Sequence, residues 1–505
     1  MCGIAGVEGT KISSKLHKML LTLKHRGPDG SGAMVNNNLV YDELNHLKIP
    51  EGSFGMGHNL LSIVGGEGLQ PLKRDNLVLV CNGEIYNYRE LKKELYDDFI
   101  TDSDCEVIIN LIRKFYKESL VNATIKASKF LDGDYAFAVY DGKDLILMRD
   151  PVGVKPLYYG FDSINQIFGF ASEQKALWAV GIDETKTLPP EKLLFNQKLM
   201  DLDYGLKDRI SNFKTLNLAK NNKNSSNNYN IDHLRSILKN NLILAVKKRI
   251  RDLDNVGIIF SGGVDSTILA KIVKDLGVEP TLYSVGHQDS VDLKFSKKSA
   301  SILELPLKYH TIDVEEVKKY LIPVLEAIED FNVMKLGVGM PAYIASKMAH
   351  EDGFKVMLSG QGADELFGGY HRYLEYYAQK GEAAQEDLIH DVLNLYHVNL
   401  QRDDAVCMAN SVELRVPYLD KDIINMAMNI PMKYKIKNEN DNLRKWVLRE
   451  VAAEIGVPPV IVKRPKKAAQ YGSGIHKILI KKVLKEKDYS NYLEEHFKNI
   501  LEFGA

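Results

Sequence analysis

IIFSGGVDSTILA, Ile258 to Ala270, sets an apolar run against a glycine turn and follows it with a second apolar stretch. It reads as a buried strand, a tight turn and a helix. Small residues at a helix start leave backbone N–H groups open to phosphate oxygens. The longer phosphate loop GxxxxGK[ST] is absent, so the turn is of a different kind. Outward from it, TLYSV and KVMLS read as further strands and DLKFSKKSASILE as a second helix. Strands alternating with helices imply a doubly wound parallel α/β sheet. The last third of the chain adds helical segments that the pattern does not order.

The first 200 residues read differently, as an α+β region of strands joined by hairpins. SSKLHKMLLTLKHRG spaces Leu16, Met19, Leu20 and Leu23 for a helix, with Ser14 as its cap and Gly27 as its stop. NLVLVCNGE predicts a strand that enters a tight turn at Asn82-Gly83, and DYAFAVYDGKDLILMRD predicts two strands around Asp-Gly. Between the halves, NNKNSSNNYN has the composition of a polar linker. The expected division is 1–200, a linker 201–230, and 231–505.

Length and composition suit a soluble multidomain protein: 505 residues, 45% hydrophobic and 26% charged. A net charge of −1 gives no whole-chain case for nucleic acid or membrane as partner and favours small molecules. No apolar run is long enough to span a bilayer, and the start lacks the order of a secretory signal. Cys2, Cys81, Cys105 and Cys407 have neither metal-ligand nor disulfide-framework spacing. A reducing cytoplasm is the expected setting, and it would keep an exposed Cys2 as a thiol.

Removal of Met1 would place the Cys2 thiol beside its own α-amine, whose unperturbed pKa is about 7.7. Thiol and amine then form a nucleophile and its base. Alone, Cys2 is an ordinary small residue. HRGPDGSG (His25–Gly32), NGEIYN (Asn82–Asn87), SDCEVI (Ser103–Ile108), RDPVGVKPLYYG and FASEQKAL follow it in turn. Together these words resemble the class II glutamine amidotransferases, over roughly residues 1 to 190. The resemblance implies an αββα sandwich of the N-terminal-nucleophile type and glutaminase chemistry at Cys2. It also implies an oxyanion hole from Asn82 and the Gly83 N–H, and a glutamine pocket holding Glu84 and Asp104. One departure stands out. The family usually places an arginine before LSIV to grip the glutamine carboxylate, and here that position is Leu60, with Arg26 and Arg74 as conceivable substitutes.

SGGVDS resembles the pyrophosphate loop of ATP pyrophosphatases, which implies nucleotide contacts at Ser261, Gly262, Gly263, Asp265 and Ser266. LSGQGADELFGGY, VELRVPYLD and VKRPKKAAQYGSG extend the likeness to the synthetase part of glutamine-hydrolysing asparagine synthetases. That family implies a Rossmann-like second domain with helical additions, ATP bound also by Val285, Ser359 and Gly360, and Mg2+ on Asp265 and Asp364. Lys466, with Lys467 as rival, would face the leaving pyrophosphate. A second departure is Gln361, where the family reads SGEG, because an amide cannot take up a proton.

The implied activity is amidation of aspartate to asparagine through β-aspartyl-AMP, with ammonia from glutamine, yielding AMP, pyrophosphate and glutamate. The rivals are the same machinery on another carboxylate and a degenerate nucleotide-binding regulator. Small-molecule substrates and a homodimer complete the expectation.

Overall fold

The computed structural model describes residues 2–63, 68–96, 98–202, 206, 231–466, 472–485 and 491–497. The polar linker expected at 201–230 therefore lies almost wholly outside the described residues.

Two antiparallel sheets, of seven and six strands, face each other in the N-terminal half. Alternating strand residues make three apolar seams from them. Ile4, Met34 and Met56 of the first sheet meet Val78, Val80, Ala136 and Ala138 of the second. On the outer side of the first, Ala5, Val7, Ala33 and Ala171 pack under the helices Ile12–Thr22 and Gln174–Trp178. On the outer side of the second, Leu79, Cys81 and Phe137 pack under Glu106–Phe115 and Leu120–Ser128. Helix, sheet, sheet, helix is the αββα order expected.

Two local expectations change. The first helix begins at Ile12, ahead of Ser14, and gives way to a single 3-10 turn, Lys24–Arg26, before Gly27. Asn82-Gly83 is no turn. The strand Leu77–Ile85 runs through it, with Asn82 opposite Ala136 and Gly83 opposite Tyr135. An Asn-Gly hairpin turn needs positive φ at both residues, and neither has it. Glycine is needed for space instead, because a Cβ at position 83 would lie 2.7 Å from the Asp134 carbonyl oxygen. The Asp-Gly hairpin is present, between Gly133–Tyr140 and Leu145–Arg149.

The second half carries a five-stranded parallel sheet. Its order across the sheet is Leu307–Thr311, Glu279–Gly286, Asn255–Ile259, Val356–Leu358, Glu413–Arg415. Ile258, Leu282 and Leu358 face one apolar core, while Tyr283, Val285 and Met357 face another. The first and fourth strands in chain order are neighbours, so the winding reverses between Asn255–Ile259 and Val356–Leu358. In such sheets ligands settle outside the carboxyl ends of the strands at that reversal. Both quoted loops, SGGVDS and SGQGAD, leave the sheet there.

Candidate active site

At the edge of the six-stranded sheet, Cys2, Leu60, Gly83, Glu84 and Asp104 line one small pocket. The Cys2 backbone nitrogen donates to Asn82 Oδ1 at 3.1 Å. Asn82 is fully buried, and its Nδ2 has no hydrogen-bond partner. A buried amide donor left unpaired costs free energy unless something else takes its hydrogen.

The Gly83 N–H is aimed by the strand itself. Cys81 N donates to Gln70 Oε1 at 2.6 Å and Ile85 N to Asp104 Oδ2 at 2.5 Å, both away from the paired strand. With a period of two, Gly83 N points out through the same edge. Burial pushes the Cys2 thiol up to about 11, so it needs a base to ionise near neutrality. Burial likewise raises Asp104 above the usual carboxylate range, against the Ile85 N–H that holds it down. Glu84 lies deeper in role than its sequence position suggested. Burial lifts it to about 7, and its Oε2 accepts from Arg415 Nη2 at 2.9 Å.

Both proposed arginine substitutes for a carboxylate grip are already held by acids, and the Arg26 nitrogen left unpartnered, Nη2, is buried. Arg26 is fully buried, donating through Nη1 to Glu173 at 2.7 Å and Asp404 at 2.8 Å and through Nε to the Cys2 carbonyl at 3.2 Å. Arg74 is taken by Glu106, by Asn110 at 3.2 Å and by the Asp98 carbonyl at 2.6 Å. Opposite charge drew both into structural ion pairs.

At the sheet reversal, the second group of residues meets. Gly262 holds φ +69°, and a Cβ there would press on the backbone of Phe295 and Ser296 at 3.0 Å. Gly263 starts the helix Val264–Asp275. Gly360 packs onto Asp265, its Cβ position being 3.1 Å from the Asp265 Cβ, so the two loops touch. Ser359 Oγ accepts from Gln361 N at 3.3 Å, Ser261 Oγ from Gly263 N at 3.4 Å, and Ser266 Oγ donates to the Gly263 carbonyl at 3.4 Å. Val285 is buried near the carboxyl end of its strand.

Asp265 and Asp364 share two lysines. Lys445 Nζ lies 2.8 Å from Asp265 Oδ2 and 2.7 Å from Asp364 Oδ1, and Lys466 Nζ lies 2.8 Å from Asp364 Oδ2 and 3.6 Å from Asp265 Oδ2. Burial opposes both charges. The lysines nevertheless hold Asp364 well below the usual carboxylate range, and the two aspartates hold Lys466 above the usual lysine range. Gly369 leaves room for the cluster, since a Cβ there would fall on Asp364 Oδ1 and Lys445 Cε. Lys467 lies outside the described residues.

Lys445 and Arg415 were not singled out from the sequence. A signal existed for Arg415: in VELRVPYLD it stands two residues from Glu413, hence on the same strand face. Arg415 Nε lies 3.3 Å from Glu413 Oε1, and Lys155 Nζ lies 3.2 Å from the same carboxylate oxygen. Lys445 follows only Arg444 in NLRKWVL and resembles surface charge until the fold buries it.

An N-terminal cysteine set in an αββα sandwich, joined to a doubly wound sheet with a glycine loop and paired aspartates, defines a bifunctional class: an amide-hydrolysing half and a nucleotide half. A glutamine amidotransferase domain profile matches residues 1–230, and an asparagine synthase profile matches 238–387 and 376–497. A protein of Methanocaldococcus jannaschii, assigned as a glutamine-hydrolysing asparagine synthetase, is 41% identical, covering 99% of this chain and 98% of its own. Asparagine synthetase B [glutamine-hydrolyzing] of Escherichia coli is 32% identical, covering 94% of this chain and 82% of its own. A solved glutamine phosphoribosylpyrophosphate amidotransferase from B. subtilis aligns over 60% of this chain and 70% of its own at 23% identity, with a TM-score of 0.36. The chain belongs to the glutamine-hydrolysing asparagine synthetase family.

Proposed function

We propose that the protein amidates aspartate to asparagine at the expense of ATP, with ammonia released from glutamine in its own N-terminal half. In this reading 1–200 is the glutaminase unit and 231–505 the synthetase unit. With Met1 removed, the Cys2 amine takes the thiol proton and Sγ attacks the glutamine γ-carbon. Asn82 Nδ2 and Gly83 N donate to the oxyanion, worth about 3 kcal/mol for one such donor. The C–N bond breaks, ammonia leaves with a proton from the amine, and water hydrolyses the γ-glutamyl thioester to glutamate. Asp104 receives the substrate's α-ammonium, its raised pKa falling as that charge arrives.

At the second site the β-carboxylate of aspartate attacks the α-phosphorus of ATP and expels pyrophosphate. Ser261, Gly262, Gly263, Ser266, Ser359, Gly360 and Val285 would surround the nucleotide, and Lys466 would face the leaving group. Ammonia then attacks the β-aspartyl-AMP carbonyl, expels AMP and loses a proton. Asp265 and Asp364 fit Mg2+, which takes one or two carboxylates together with substrate phosphates. Asp265 Oδ1 is buried without a hydrogen-bond partner, a spare hard oxygen for it. When bound, the ion would neutralise charge on the leaving pyrophosphate. Gln361 supplies a hydrogen-bonding amide there and no proton acceptor.

The observation that carries the two-site reading is a short bridge of contacts. Glu84 in the thiol pocket pairs with Arg415, and the Arg415 carbonyl accepts from Ser359 N at 3.0 Å in the nucleotide loop. Beside that bridge, Leu61 of the pocket packs on Met408 of the second half. Ammonia crossing here would pass between largely buried groups, apolar at Leu61 and Met408 and ion-paired at Glu84 and Arg415, and stay out of water.

The test mixes ATP, Mg2+, glutamine and aspartate and follows AMP and asparagine. Equal yields of both that depend on aspartate support the reading. AMP formed with another carboxylic acid, and none with aspartate, overturns it in favour of a different acceptor. A reducing cytoplasmic setting and a homodimer belong to the same reading, checked by fractionation and sedimentation. Among the described residues no helix is long and apolar enough to cross a membrane.

A further inference from the structure

The charge inventory of the thiol pocket is one-sided. Among the described residues, its charged side chains are the acids Asp104 and Glu84; the remainder are neutral, including Leu60, Ser62, Gln70 and Ser103. The adjoining residues 64–67 are Val, Gly, Gly and Glu, which add no cation by sequence. Arg415, which touches the pocket at Glu84, is 1% exposed in its side chain and already committed: Nη2 to Glu84 at 2.9 Å and Nη1 to the Arg249 carbonyl at 2.6 Å. Arg26, which touches the Cys2 carbonyl, is fully buried and balanced by Glu173 and Asp404, and its Nη2, though unpartnered, has no exposed surface. The Cys2 amine must be neutral to serve as base. Free glutamine brings two charges to this place. Its ammonium meets Asp104, whereas its α-carboxylate meets no opposite charge from a side chain and stands near two acids.

Resting on the glutaminase reading above, we propose that this pocket selects its donor by the α-ammonium and γ-amide alone. It then accepts γ-amides whose α-carboxyl is uncharged at least as well as glutamine, with Leu60 setting that preference. An α-amide carries the same ammonium and the same scissile bond, and it places a neutral dipole where glutamine places an anion. The chemistry is unaltered: the γ C–N bond breaks, ammonia leaves, and water releases the acyl group from Cys2.

The experiment compares kcat/KM for L-glutamine and L-glutamine α-amide, reading γ-ammonia release, in the full-length enzyme and in Leu60→Arg and Leu60→Lys. The wild-type ratio of α-amide to glutamine is expected at unity or above. A cation at position 60 is expected to move it at least ~10-fold toward glutamine, as a charge-assisted carboxylate contact would. A wild-type enzyme that prefers glutamine by ~10-fold or more, the discrimination such a contact supplies, overturns the inference. So do folded variants whose ratio stays at the wild-type value. The wild-type ratio decides the matter even if neither variant folds. Asparagine formation from ammonium salts, followed in the same preparations, reports separately on the synthetase reading.

Discussion

The thiol pocket and the nucleotide site solve opposite electrostatic problems. Around Cys2 the donors proposed for catalysis are neutral: an asparagine amide and a backbone N–H, both held by strand geometry. At the sheet reversal the working groups are ions, two aspartates and two lysines that neutralise one another before any ligand arrives. The first arrangement suits a charge that exists only fleetingly, the oxyanion. The second suits phosphates and a cation that carry charge throughout. Preorganised neutral donors act in the transition state, whereas a balanced ion cluster can trade partners as ligands enter.

Four substitutions test that contrast, beginning with the largest effect. Cys2→Ala should lower glutamine-dependent asparagine formation by on the order of 10^3-fold or more, as loss of a nucleophile does, with ammonia-dependent formation retained. If both rates fell together, the two regions would not be separate sites. Asp364→Asn should do the reverse. Both routes to asparagine should fall by ~10^2-fold or more, while glutamine hydrolysis measured alone persists. The lost counter-charge for Lys445 and Lys466 should also lower the melting temperature in a calorimetric scan.

Asn82→Ala should cut kcat for glutamine hydrolysis by roughly 10^2- to 10^3-fold with a smaller change in KM, as expected for a donor used mainly in the transition state. A rise in KM alone would make Asn82 a binding group. The smallest effect concerns Glu365, beside the ion cluster. Burial raises it to about 7, and its Oε1 accepts from Tyr370 at 2.7 Å and Asn399 at 2.9 Å. Its Oε2 has no hydrogen-bond partner. The folded state therefore binds the Glu365 proton more tightly than the unfolded chain does. The resulting stability is full below pH ~4.5 and is lost as pH rises through about 7, by on the order of 3 kcal/mol. Glu365→Gln keeps both acceptor contacts, so denaturant titrations should show it gaining on the wild type as pH increases from 5 to 8.

What could be read beforehand divides along the same line. The glycine loop, the alternation around it and the Asp-Gly hairpin are local signals, and the chain folds as they indicate. Asn82-Gly83 misled because an identical dipeptide suits a turn or a crowded strand, and the paired strand at Asp134 and Tyr135 decides between them. Lys445 was invisible for a related reason. A lysine in a mixed sequence resembles solvent-facing charge, and its partners Asp265 and Asp364 lie far along the chain. Arg26 and Arg74 show the same limit from the other side. Their sequence positions left them open to a substrate, but buried acids from distant segments had already claimed them.

Arg26 carries one further consequence. Its guanidinium, fully buried, ties the Cys2 carbonyl to Asp404, a residue of the other half of the chain. The halves are therefore not interchangeable cassettes. A chimera that took its N-terminal half from this protein and its C-terminal half from a relative lacking the acid would keep the Arg26–Glu173 pair but lose the second carboxylate that balances this buried cation beside Cys2. Any such exchange must transplant Arg26 and Asp404 as one inheritance unit.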